Sequence, residues 1–166
     1  MDETTAFHEA GHAFAAVMVG ARVISITIDP DANDLPDRFG DTEVGWDRQQ
    51  FSDREFAEKF ALVSLAGPVA EMITTGDRWH PALLSEWAGD WNHAMRSAQQ
   101  LFDSEQRCVQ FLERMAVELH QVFSRDDVWS FIGAIVDDLM AHETLEGEQV
   151  HDIVDEWLRL HGVWSR

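Results

Sequence analysis

The sequence predicts a mainly α-helical chain with a small antiparallel sheet, packed around a single core. Two observations lead there. Apolar residues recur at helical spacing over most of the chain, and strict two-residue alternation is confined to the stretches 22–29 and 42–46. With 166 residues, 45% of them hydrophobic, the chain is long enough for one domain with a sizeable core and too short for two. The expected organisation is one domain over 1–166. A first helix and the sheet occupy 1–50, a buried central helix and its successor 51–103, and further helices 104–166.

The first helix, expected over 4–19 and stopped by Gly20, contains His8-Glu9-Ala10-Gly11-His12. On a helix this spacing puts both imidazoles on one face, a turn apart, where they can bind one metal ion. Glu9 then stands beside the metal without ligating it, and can take a proton from metal-bound water, which is the chemistry of hydrolysis. A chain of this composition would contain His-Glu-x-x-His by chance only about 0.03 times. Gly11 inside the helix costs about 1 kcal/mol against alanine. It marks either a close approach to that face or an ordinary tolerated glycine.

In the stretch 22–29, Ile24, Ile26 and Ile28 alternate and predict one buried strand face; Thr42, Val44 and Trp46 predict a second strand. Between them lies a polar loop with Pro30, Asp31, Asn33, Asp34, Asp37 and Asp41 in or next to it. An exposed edge of such a sheet could pair with an extended peptide.

Ser52-Asp53-Arg54-Glu55 is a capping box, with Phe51 and Phe56 placed as a hydrophobic staple, so a helix is expected from there toward Gly76. Its second half, 61–73, is apolar on nearly every side, with a kink expected at Pro68. Glu71 is the only charge in that half and needs a partner: a salt bridge, a hydrogen bond to a ligand histidine, or a metal. After a connector over 77–85, which includes Trp79, His80 and Pro81, comes a helix expected over 86–102. Its stripe is Trp87, Trp91, Ala94, Ala98 and Leu101, and Asp90 lies at the edge, costly unless hydrogen-bonded or metal-bound.

Three amphipathic helices complete the chain. Ser104 opens one with Cys108, Phe111, Leu112, Met115 and Leu119 inward. Ser124 with Asp127 is expected to open the next, with Val128, Phe131, Ile132, Ile135 and Leu139 inward. The last, over 146–160, turns Val150, Ile153, Val154 and Trp157 inward. His120, His142, His151 and His161 read as core and surface residues.

Composition limits the partners. A net charge of −19 with a single lysine, Lys59, repels a phosphate backbone, so nucleic acid is not expected. One cysteine, Cys108, gives no disulfide framework, and neither a signal-peptide pattern nor an 18-residue apolar run is present. A cytoplasmic protein without a membrane segment in this chain is expected.

Several separated stretches resemble the peptidase domain of the FtsH-type AAA metalloproteases. They are His8-Glu9-Ala10-Gly11-His12-Ala13, Val23-x-x-Ile26-Thr27-Ile28-x-Pro30, Ala66-Gly67-Pro68-Val69-Ala70-Glu71, Asp90-x-x-x-Ala94 and Glu143-Thr144-Leu145-Glu146-Gly147-Glu148. They occur in the family's order and span nearly the whole chain. Gly89, Met95 and Ala66 depart from the family's Asn, Thr and Gly.

The resemblance implies a zincin-like, mostly helical peptidase domain in which His8, His12 and Asp90 hold Zn²⁺, Glu9 is the catalytic base, and Glu71 hydrogen-bonds a ligand histidine. It implies peptide or unfolded polypeptide substrates. No Gly-x-x-x-x-Gly-Lys-Ser/Thr stretch is present, so ATP-driven unfolding is not a property of this chain, and a homo-oligomer or a separate ATPase stays open as a partner. With no tyrosine in the chain, a Tyr oxyanion donor is excluded; His80 or His93 could donate instead, but a surface or capping role is the expected one for each. The competing reading is a non-enzymatic metal-containing binding module, for which His93 would close the site as a fourth ligand.

Overall fold

The helix that carries both histidines runs through the middle of the protein. In the computed structural model, which describes residues 3–29, 38–39, 42–77 and 87–163, helix α1 spans Glu3–Met18 and is buried almost continuously from Glu9 onward. It ends as the glycine predicts. Gly20 takes φ +90°, its N–H bonds Val17 O at 3.0 Å and that of Ala21 bonds Ala16 O at 2.9 Å, while Lys59 Nζ reaches Val19 O at 3.1 Å.

Helix α2 (Asp53–Thr75) packs along α1. The capping box is formed as expected: Ser52 Oγ accepts from Glu55 N and Glu55 Oε2 from Ser52 N, and Gly76 closes the other end at φ +76°. Trp46 stands beside both staple residues, with ring centroids 6.2 Å from Phe51 and 5.2 Å from Phe56. The close crossing of α1 and α2 depends on small residues. A Cβ on Gly11 would lie 2.6 Å from both Ala66 O and Ala70 Cβ, so a close approach explains this glycine. The helix continues through Pro68.

Helix α3 (Ala88–Ala98) is shorter than the stretch 86–102, because the chain leaves α geometry for turns after Ala98. Helices α4 (Glu105–Phe123), α5 (Asp126–His142) and α6 (Gly147–His161) bury the predicted stripes, and Phe14 of α1 meets Phe123 and Trp157 at centroid distances of 5.9 and 5.4 Å. Ser124 does not open α5. It adopts αR geometry and ends α4, and the extended residue that a cap requires is Arg125, paired with Asp127 at 2.7 Å. Most of the described buried apolar residues form one cluster drawn from helices α1–α6 and the sheet.

Among the described residues the sheet has four strands in the order β2-β3-β1-β4, with every neighbouring pair antiparallel: β1 (Arg22–Thr27), β2 (Arg38–Phe39), β3 (Thr42–Gly45) and β4 (Thr144–Glu146). The expected face of β1 is corrected at one residue. A bulge between Val23 and Ser25 shifts the alternation, so that Val23 and Ile26 point inward and Ile24 is 37% exposed. The backbone N–H of Val23 is taken up by His151 Nε2 at 3.1 Å. Glu143, at φ +64°, turns the chain from α5 into β4, and its carbonyl accepts from Ile28 N at 2.9 Å. Pro30, the acidic loop residues, Asp41, Trp79, His80, Pro81 and Glu86 lie outside the described residues. Among those described, no helix is long and apolar enough to cross a membrane.

Candidate metal centre

Three side chains from two helices converge on one point. His8 and His12 project from α1 onto the same side, and α3, packed against α2, brings Asp90 to them although it lies 78 residues from His12 in sequence. One potential ligand atom from each of the three residues lies within 4.8 Å of the other two. His8 Nε2 is 3.1 Å from His12 Nε2 and 3.1 Å from Asp90 Oδ2, and His12 Nε2 is 3.4 Å from Asp90 Oδ1. Donors around a tetrahedral ion with bonds of about 2.0–2.1 Å stand about 3.3 Å apart, so donor types and spacing both fit zinc.

The far sides of the rings are held as well. His12 Nδ1 donates to Val63 O at 2.7 Å, since a carbonyl can only accept, which leaves Nε2 facing the centre. His8 Nδ1 meets Glu71 Oε2 at 2.9 Å, and Trp87 Nε1 donates to the same oxygen at 2.6 Å. Glu71 therefore faces the back of His8 and not the point where the other three donors meet. Metal-binding imidazoles are commonly oriented through their second nitrogen in this way. Gly67 is needed for the arrangement, because a Cβ there would fall 2.3 Å from His12 Nε2.

The charges are strongly coupled. Burial disfavours the imidazolium of His8, but the hydrogen bonds to Asp90 and Glu71 and the charges of Asp90 and Glu9 outweigh it, raising its pKa to about 10. Burial likewise opposes the Asp90 carboxylate, yet His12 and His8 hold it well below the usual carboxylate range. The pocket is thus built to hold a positive charge: a proton on His8, or a metal ion in its place.

Residues 3–70 match the family model described as Peptidase M50B-like. That match relates residues 3–70 to the metallopeptidases. That metallopeptidase match contains His8, Glu9 and His12 and stops one residue before Glu71, so Asp90 joins the group through the fold alone. No curated protein matches the chain.

Glu9, next to His8, is 4% exposed, and its Oε2 accepts from Thr42 Oγ1 at 2.7 Å. His93 lies one turn beyond Asp90 but outside the three-residue group, packed beside Phe60 with ring centroids 6.2 Å apart. His120, His142, His151 and His161 are outside the group too. Sequence reasoning did not find the parts played by Thr42, Val63, Gly67 and Trp87. Gly67 stood in a motif and Trp87 on an apolar stripe, but neither pattern shows a contact with a ring or a carboxylate.

Proposed function

We propose that this chain is a zinc-dependent endopeptidase that hydrolyses peptide bonds of unstructured polypeptides without ATP. The observation that carries the reading is the convergence of two imidazole Nε2 atoms and one carboxylate from α1 and α3, with Glu9 buried next to the first imidazole. Three protein donors suit a catalytic rather than a structural zinc centre. The FtsH-type relation is favoured by the way separate motifs meet: Gly67 makes room for His12, Glu71 holds His8, and Asp90 completes the group.

Zinc held there would supply a polarised water and an electrophile for the peptide carbonyl. The rest of the chemistry belongs to side chains of this chain. Glu9 accepts a proton from the attacking water and passes it to the leaving amine. Glu71 and Val63 O fix the two rings through Nδ1, and the charge of Asp90 favours retention of the cation. With no ATPase motif in the chain and a charge of −19, the fitting substrates are already unfolded peptides rather than nucleic acid, and a cytoplasmic setting is consistent with the composition.

The test is zinc content of the purified protein, followed by casein and peptide-library cleavage with and without a chelator. Glu9→Gln is expected to retain zinc and lose about 10²- to 10⁴-fold in turnover. Stoichiometric zinc without any cleavage by the unaltered chain would point instead to a metal-containing binding module.

A further inference from the structure

Thr42 has no ordinary reason to carry a hydroxyl. It opens β3, is completely buried, and is clamped by backbone pairing to Ile26 of β1 and Phe39 of β2. In such a position valine would fill the same space and suits a strand at least as well. The hydroxyl lies 2.7 Å from Glu9 Oε2 and 3.3 Å from the main-chain oxygen of Glu9. It has one hydrogen to give, and the shorter, charge-assisted bond to the carboxylate is the stronger claim on it.

This bond joins two parts of the molecule that the sequence keeps apart. Glu9 sits on α1 and has a flexible side chain with three rotatable bonds, whereas Thr42 is fixed on both flanks by the sheet. A donor anchored in this way limits the rotamers open to the carboxylate. We infer that Thr42 is a positioning residue, holding the Glu9 carboxylate in place as the base before substrate arrives. The inference rests on the peptidase reading given above, and it deepens that reading by making the small sheet part of the catalytic apparatus.

The test uses the full chain loaded with zinc and a peptide substrate taken from the library screen, comparing Thr42→Val with Thr42→Ser. Thr42→Val is expected to lower kcat about 10- to 100-fold, the scale set by a misplaced catalytic group, with KM and zinc stoichiometry unchanged. Thr42→Ser keeps the donor and is expected to restore most of that loss. A second readout needs no catalysis: thermal unfolding of chelator-treated Thr42→Val, Glu9→Ala and the double variant, alanine being used because glutamine would still accept the bond. If the bond exists, the double variant loses less than the sum of the single losses.

Full activity in Thr42→Val, serine as impaired as valine, loss of zinc in Thr42→Val, or strictly additive unfolding shifts would each overturn the inference. Cleavage by the unaltered chain with undiminished Thr42→Val sinks Thr42 alone. Absence of any cleavage by the unaltered chain sinks the peptidase reading and this role with it.

Discussion

Asp90 and Glu71 are both carboxylates in contact with His8, and their positions around the ring separate them. Asp90 reaches Nε2, the side shared with His12, while Glu71 reaches Nδ1 on the far side. Asp90→Ala is therefore expected to abolish stoichiometric zinc binding. Glu71→Ala should weaken it about 10- to 100-fold, and Glu71→Gln less, because an amide oxygen still accepts from Nδ1–H. A zinc titration of the three variants checks the order, and normal binding by Asp90→Ala would remove it from the ligand set. The same residues predict a pH dependence. His8 has a folded pKa of about 10, above its ordinary value, so its proton stabilises the zinc-free fold fully below pH about 6.5 and that contribution is lost as pH rises through about 10. Asp90 is shifted downward, so its contribution is present above about pH 3.9 and is lost as pH falls through its folded value. The Tm of chelator-treated protein should accordingly fall on the alkaline side from near neutrality, and added zinc, which displaces the His8 proton, should flatten that fall. At this scale the His-Glu-x-x-His spacing was fully legible, because one helical turn determines it. Thr42 and Trp87 were not, because a hydroxyl on a strand and an indole on an apolar stripe give no sign of the carboxylates they bond.

Gly147 shows how elements rather than single side chains are matched. It begins α6 where that helix meets the bulged strand β1, and a Cβ on it would fall 1.9 Å from Val23 O and 3.0 Å from Ile24 O. The obstacle is backbone, which cannot rotate away. Gly147→Ala should therefore cost at least the roughly 1–3 kcal/mol typical of overpacking, measured as a shift in the urea midpoint. An unchanged midpoint would mean that α6 and β1 can part enough to admit a methyl group at no cost. Signals confined to a few neighbouring residues were readable for most elements: Ser52 with Glu55, Ser104 as a cap, and the terminal glycines Gly20 and Gly76. What failed depended on distant partners or on backbone geometry. Ile24 turned outward because of a bulge, and Ser124 resembles a cap in composition but has the φ and ψ of a helix end. β4 is three residues long, too short for its alternation to be seen.

Across the whole molecule, charge is the dominant imbalance. With 31 acidic against 12 basic residues, self-repulsion opposes compactness, and the pairs Arg48–Asp53, Arg54–Glu58, Arg107–Asp103 and Arg125–Asp127 all lie on the surface. Such pairs are each worth about 0–1 kcal/mol, so salt takes away little attraction while it screens much repulsion. Tm is expected to rise as ionic strength increases from about 0.01 to about 0.15 M, and a fall in a salt series would show that the surface pairs outweigh the repulsion. The mainly helical class and its single core were legible from periodicity, which sums over many residues, but the way the chain closes on itself was not. Thr27 and Thr144 share a hydrogen bond across 117 residues where β1 meets β4. During synthesis, one side of β1 must therefore wait, its backbone groups turned to solvent, until residues 144–146 have been made. Closing so long a loop is entropically costly and belongs late in folding, after the local helices have formed. The strand β4 thus acts as a latch, and a nascent chain that has not yet received it presents an open strand edge to any neighbour able to pair with it.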